Sequence, residues 1–420
     1  VRLFLFLLGV NRVESSVRFI TFAPSGKRCR IMEGDTVLMA AKRCGVKVDA
    51  ACFGSRCCGR CKVRIRKAGL PDRHARDEQT FLSPLDGRER TALSRREILE
   101  GWRLACMAQP LTDVLVEVPA LPKVHLIPTA SGKKMPVFEC NHAGSEEIPP
   151  FVIRKFGASY WDAYQLAPLM SAASALIADS CGDPVCKLPF CVTIEAGAFG
   201  AEIRFPEQGH LPLPGKYLFA AAEELVNLPD IDFSAGRIHE VLESVRLLHA
   251  VGRRIVLKVE APFTVLSMLM DTAVLFRALR RQRHLVEAAL TKIRRNLVRY
   301  IALAFANGVD IISYADPSGV IEFVGPKTFC EVSGRETVCL LHEVENLRPG
   351  GIVHICGKTS TSLEYMGLCH FDTFVLPGRR KFADALLTIH DRNKVQFTGH
   401  NCILVTAAPV LQPEICFLHL

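Results

Sequence analysis

The stretch ACFGSRCCGRC places four thiols, Cys52, Cys57, Cys58 and Cys61, within eleven residues, which raises metal binding as its chemistry. A C-x4-C-x2-C frame takes Cys52 and Cys57 and then requires a cysteine where Arg60 stands, so it fails. Moving by one residue gives Cys52, Cys58 and Cys61 in a C-x5-C-x2-C frame, with Cys57 left as a neighbour that is not a ligand. A [2Fe-2S] core takes four thiolates, three from one loop and one from a separate wall, and Cys106 in GWRLACMAQP supplies the distant fourth. Gly54 and Gly59 allow the loop to wrap closely, because backbone N–H groups approach sulfur where no Cβ intervenes. Zinc fits this spacing less well, since its ligands usually come as two close pairs.

The elements that must position these thiols are legible around them. Cys106 follows a helix-like stretch from Ser94 to Glu100 and precedes the strand-like TDVLVEV. Residues 1–120 carry 22 Lys and Arg against 13 Asp and Glu, whereas the remainder is balanced at 30 each, so a domain boundary is expected near 120. This basic surface lacks an aromatic-studded nucleic-acid motif and is better suited to docking an acidic protein partner. The apolar run Leu3–Val10 is far short of the ~20 residues that span a bilayer. It reads as a strand extension or a misplaced start rather than a secretion signal, so a cytoplasmic chain without membrane or nucleic-acid partners is expected. The seventeen cysteines then read as thiols and metal ligands rather than disulfides.

The segment beginning VRFITFAPSGKRCRIMEGDTVL and running through the cysteine loop to KVRIRKAG resembles the ferredoxin-type domain of reductive activators of corrinoid proteins. That resemblance covers about residues 17–120 and implies an α+β, β-grasp [2Fe-2S] domain at 15–120 that passes electrons to a cobalt cofactor. A redox protein partner is implied with it.

Beyond 120 the chain changes character. Residues 121–135 read as a linker, rich in proline and small residues. From 136 to 420, apolar strand-like runs alternate with amphipathic helix-like stretches, as in RRIVLKVEAPF, LVEAALTKIRRNLVRYIALAFANG, VDIISYADP, GGIVHICG, DTFVLPG and KVQFTGHN. Such alternation predicts a parallel sheet with helical cover, closed as an α/β (β/α)8 TIM-type barrel with active residues just past strand C-termini. An open doubly wound sheet is the competing arrangement, but no G-x-G-x-x-G turn follows an early strand. His354 and Cys356 stand two residues apart on one apparent strand, and two such ligands facing one side suit zinc.

The segments KLPFCVTIEAGAFGAEI, VLKVEAPFTVLSMLM, ANGVDIISYADPSG and VHICG, in that order, resemble the uroporphyrinogen decarboxylase superfamily, and within it the methylcobamide:coenzyme M methyltransferases. The resemblance implies a zinc held by H-x-C and a later cysteine. His354 and Cys356 follow directly, and Cys402 in FTGHNCIL is taken as the third ligand, with His400 its rival and Cys369 and Cys416 read as structural thiols. It also implies a thiol methyl acceptor and a corrinoid protein or methylcobamide as methyl donor, with the [2Fe-2S] domain rescuing oxidised cobalt. Glu195 and Asp316, each ending an apolar run, are the candidate catalytic carboxyls, and helix capping or loop hydrogen bonding is the plainer role for both. Where the decarboxylases themselves carry an arginine-rich RQAGRY-like segment, this chain has FECNHAGSEEIPP, which lacks the cationic clamp for a porphyrin. A decarboxylase-type lyase and an electron-transferring activator are the competing functions.

Overall fold

The computed structural model describes residues 18–50, 61–69, 81–119, 138, 148–205, 211–347, 350–393 and 395–419. The chain divides into two compact units between residues 121 and 122. Cys52, Cys57, Cys58, the run Leu3–Val10 and the 121–135 linker lie outside the described residues.

The first unit runs β1 (Phe19–Ala23), β2 (Lys27–Arg30), α1 (Val37–Arg43), β3 (Lys62–Lys67), α2 (Gly87–Ala92), α3 (Arg95–Leu99), β4 (Trp102–Leu104) and β5 (Val114–Glu117). Its strands form one sheet in the order β2-β1-β5-β3-β4, with β1 and β5 parallel and every other pair antiparallel. Period-two alternation explains the faces: Ile20, Phe22, Val63, Ile65, Val114 and Val116 are all buried, as are Val37, Leu38, Ala40 and Ala41 of α1. Ser94 starts α3 through a capping box with Glu97, satisfying two orphan helix donors at once.

One buried ion pair fixes the strand that leads to Cys106. Arg103 donates from Nε and Nη2 to the two Glu89 carboxylate oxygens at 2.9 and 2.7 Å, and the Leu104 amide donates to Glu89 at 2.9 Å. Both side chains are 1% exposed, so removing one partner strands the other's charge away from water. Glu89→Gln is expected to lower the stability of this unit by about 3–5 kcal/mol, read by denaturant melts. A loss below about 1 kcal/mol, typical of an exposed pair, would contradict that placement.

The expectation that the cysteines are all thiols or ligands is corrected here: Cys29 and Cys44 form a disulfide between β2 and the residue capping α1. The pairing arises because α1 lies against the β1–β2 hairpin, a tertiary proximity with no counterpart in the cysteine spacing.

The second unit runs α4 (Pro150–Phe156), α5 (Tyr160–Gln165), α6 (Ala167–Cys181), β6 (Val185–Leu188), α7 (Ile194–Ala198), β7 (Ile203–Arg204), β8 (Leu213–Pro214), α8 (Gly236–Ala250), β9 (Arg254–Glu260), α9 (Pro262–Leu269), α10 (Thr272–Arg281) and α11 (Arg283–Ala306). It continues β10 (Ile311–Ala315), α12 (Ile321–Val324), α13 (Pro326–Thr328), α14 (Gly334–Asn346), β11 (Ile352–Cys356), α15 (Gly357–Tyr365), β12 (His370–Val375), β13 (Arg380–Lys381), α16 (Phe382–Asn393), β14 (Phe397–Asn401), β15 (Pro409–Val410) and β16 (Glu414–His419). Strands β9, β10 and β11 are apolar almost throughout because helices cover both faces of a parallel sheet.

The sheet departs from the expected closed barrel. Among the described residues its order is β12-β16-β14-β11-β10-β9-β6, in which β6, β9, β10, β11 and β14 are parallel while β16 and β12 pair antiparallel. The reason lies in the connection after β14: residues 402–413 hold a 3-10 turn and β15 but no crossover helix, so β16 returns antiparallel beside β14.

Candidate functional site

In the first unit, the described thiols are tied to one residue. The Ala105 amide donates to the Cys61 carbonyl at 2.8 Å, which continues the β3–β4 ladder and sets Cys61 beside the turn bearing Cys106. Met107 and Ala108 both donate to the Leu104 carbonyl at 2.9 Å, closing that turn around Cys106. Cys61 and Cys106 are both buried, 1% and 4% exposed. A loop thiol and a wall thiol are thus neighbours, the three-plus-one division a [2Fe-2S] core requires.

In the second unit the parallel strands end at one edge, where their C-terminal residues gather the polar groups. Glu195 sits in α7, reached from β6, and its Oε1 accepts the Glu260 amide at 3.1 Å at the end of β9. Asp316 follows β10, and its Oδ1 accepts from the Thr264 hydroxyl at 2.7 Å and the Thr264 amide at 3.1 Å, while its own amide donates to Thr359 Oγ1 at 3.1 Å. The loop after β10 is thereby fixed between α9 and α15. Both carboxyls are buried, and burial pushes Glu195 and Asp316 each up to about 7.

Raised carboxyl pKa values have a defined stability consequence. The protonated form of Glu195 stabilises the fold fully below its unfolded value near 4.5, and this contribution is lost as pH rises through about 7. Glu195→Gln should therefore gain on the wild type by about 3 kcal/mol between pH 5 and pH 8, measured by urea melts of both proteins. Parallel stability curves would contradict the burial-raised value.

A third carboxyl, Glu260, was not among the sequence candidates, although it is 6% exposed and closes β9. Its signal was available: like Asp316, it is an acidic residue where an apolar strand ends.

The H-x-C pair lies on β11. His354 is fully buried, with Nδ1 2.9 Å from Thr398 Oγ1 and Nε2 3.1 Å from the Asn401 carbonyl. A carbonyl only accepts, so Nε2 carries the proton and the Thr398 hydroxyl donates to Nδ1. Burial lowers the imidazole to about 4, which keeps it neutral at physiological pH. Cys356 stands at the start of α15 and is half-buried, as is Cys402. The β11–β14 register runs His354↔Thr398 and then Cys356↔Asn401, so β14 spends one extra residue and bulges between the pairs. His400 occupies that bulge at φ 60°, a left-handed conformation unusual for a side chain with a Cβ. Its ring turns to α15, with Nε2 3.2 Å from Glu364 and Nδ1 3.2 Å from Thr361 Oγ1.

Cys356 is paired opposite Asn401, the residue before Cys402, so the three sequence-chosen ligands stand on two hydrogen-bonded strand ends. Among the described residues no three His, Cys, Asp or Glu side chains converge into a metal-holding group. The donor types, one neutral imidazole and two thiols, match zinc. Thr398 orients the His354 ring as an outer hydrogen-bond partner orients a ligand, while Nε2 would have to exchange the Asn401 carbonyl for a metal. Of the remaining thiols, burial pushes Cys369 up to about 12 and raises Cys416, which disfavours the thiolate at both.

Comparison with known proteins matches residues 133–407 to the family described as uroporphyrinogen decarboxylase (URO-D). The chain belongs to the URO-D family. Residues 20–111 of the same chain match the 2Fe-2S iron-sulfur cluster binding domain, so a ferredoxin-type domain precedes the URO-D region. The methylcobamide:CoM methyltransferase MtbA of Methanosarcina acetivorans is 26% identical over 216 residues, 50% of this chain and 62% of that protein. MtaA of Methanosarcina barkeri is 24% identical over 256 residues, covering 60% of this chain and 74% of the relative. The first unit is similar to a component of the Na(+)-translocating NADH-quinone reductase of Chlamydia pneumoniae, 31% identical over 88 residues, 21% of this chain and 17% of that protein. A solved methyltransferase from Methanosarcina mazei superposes with a TM-score of 0.47 at 23% identity, covering 53% of this chain and 66% of the other. No helix among the described residues is long and apolar enough to cross a membrane.

Proposed function

We propose that the URO-D region is a methyltransferase that moves a methyl group from a corrinoid protein or methylcobamide to a thiol, with the ferredoxin-type domain supplying electrons. The observation that carries this reading is the β11–β14 pairing, which sets the H-x-C segment against the segment bearing Cys402 at the strand C-termini. The methyltransferase names of the relatives support it. His354, Cys356 and Cys402 would hold the zinc, which when bound lowers the pKa of a thiol and so provides a thiolate at neutral pH. Thr398 holds the His354 ring in one tautomer, and the start of α15 favours an anionic Cys356 sulfur through its free N–H groups. Glu195 and Asp316, both titrating near neutrality, can each take or return the proton that the acceptor thiol releases.

Cys52, Cys58, Cys61 and Cys106 would hold the [2Fe-2S] cluster, a one-electron donor when reduced. Methyl transfer to a thiol leaves cobalt(I) on the corrinoid substrate, and accidental oxidation to cobalt(II) demands one electron before the next methylation. A donor carried on the same chain raises the effective concentration of that electron. The basic first unit is the docking surface proposed for the corrinoid partner or a redox partner.

Anaerobic purification with iron and zinc analysis, followed by methyl transfer from methylcobalamin to a thiol, tests both halves. About two irons and one zinc per chain, with transfer, are expected. Iron without zinc and without transfer would favour an activator; tetrapyrrole turnover without zinc would favour a lyase.

A further inference from the structure

We propose that the Cys29–Cys44 disulfide is a redox-active site whose reduction by a small dithiol loosens the wall that holds the iron-sulfur cluster. The inference rests on Cys61 and Cys106 being cluster ligands, as proposed above.

The route from the disulfide to the ligands is short and continuous. Cys44 caps α1, and Cys29 fastens that end to β2 across a sequence separation of 15. At the other end of α1, the Leu38 amide donates to the Ala105 carbonyl at 2.7 Å and the Val37 amide donates to Ala108 at 2.9 Å. These two carbonyls bracket Cys106. Ala105 in turn donates to the Cys61 carbonyl at 2.8 Å, so both described thiols depend on one residue that α1 holds.

A helix of seven residues has little stability of its own, and its position is set by tertiary ties. With the disulfide open, α1 keeps the buried Val37, Leu38, Ala40 and Ala41 and the Arg43–Asp35 ion pair, but loses its covalent tie to the sheet. The two redox states therefore differ in how firmly the Cys106 turn is held, which is the differential contact a switch requires.

Cys29 is 3% exposed whereas Cys44 is only half-buried, so exchange begins at the Cys44 sulfur. The dithiol's thiolate bonds to Cys44 Sγ, the Cys29–Cys44 bond breaks, and Cys29 leaves as a thiolate that takes up a proton. The second dithiol sulfur then displaces Cys44, giving a second protein thiol and a cyclic disulfide. Two electrons and two protons pass from dithiol to protein.

The test uses the full-length chain reconstituted with its cluster. Alkylation and peptide mass analysis before and after anaerobic dithiol treatment report the Cys29–Cys44 bond, and visible absorbance reports cluster loss to an iron chelator. Reduction is expected to speed cluster loss roughly tenfold and to lower the melting temperature of the first unit by about 10 °C. The C29S/C44S variant should lose its cluster at the fast rate and ignore the dithiol, which separates opening of the disulfide from direct attack on the cluster. Should that variant not fold, C29A/C44V fills the same buried space with apolar groups. Equal rates before and after reduction, an equal dithiol response in wild type and variant, or free thiols at both positions in untreated protein would overturn the proposal. A wild-type chain that assembles no cluster overturns the ligand reading as well, whereas a stable cluster indifferent to the disulfide overturns the clamp alone.

Discussion

Serine at Cys106 should abolish the visible absorption of the iron-sulfur unit, while serine at Cys57 should leave it intact. The contrast follows from the number of thiolates: a [2Fe-2S] core needs four, and Cys106 is the one supplied from outside the loop. Outer hydrogen-bond partners alone change metal affinity by about 10–100-fold, so losing a direct ligand exceeds that. Iron content and visible spectra after anaerobic reconstitution of both variants measure the effect. Retention of the cluster in Cys106→Ser, together with its loss in Cys57→Ser, would reverse the ligand frame. The structure contributes the reason Cys106 is suited to the role, since it lies buried in a tight turn whose neighbour Ala105 bonds Cys61.

Serine at Cys356 is expected to cost the URO-D region its zinc and to lower methyl transfer to a thiol by at least about 100-fold. A hydroxyl is a far weaker zinc ligand than a thiolate, and Cys356 occupies the start of α15, where free N–H groups favour the anion. Thr398→Val makes the complementary test, because it removes the hydroxyl that orients His354 without touching a ligand atom. A loss of about 10-fold in zinc affinity is expected there, measured by competition with a chelator. If Cys356→Ser keeps stoichiometric zinc, the H-x-C assignment fails. If it loses zinc yet transfers methyl groups at the wild-type rate, the proposed role of the metal fails.

Much of this protein was legible from periodicity and spacing. Alternation marked the strands of the first unit, and the apolar runs at 254–260, 311–315 and 352–356 marked the buried parallel strands of the second. Their strand-end polar residues followed, because side chains just past parallel strands face a common edge. Glu195 and Asp316 do lie there, and Glu260 lies there unforeseen.

What the sequence determined by itself was local: which cysteines keep a three-plus-one spacing, which runs are strands, and where basic charge stops near residue 120. Tertiary structure alone decided three things. It joined Cys29 to Cys44, because helix packing and not cysteine spacing brings two sulfurs together. It left the described sheet with two antiparallel strands rather than a closed ring, because the return to β16 carries no crossover helix. It placed a bulge at His400, which turned that imidazole to Glu364 and set Asn401 against both His354 and Cys356. A one-residue change of register is invisible in the composition of either strand, yet it decides which side chains can reach one another.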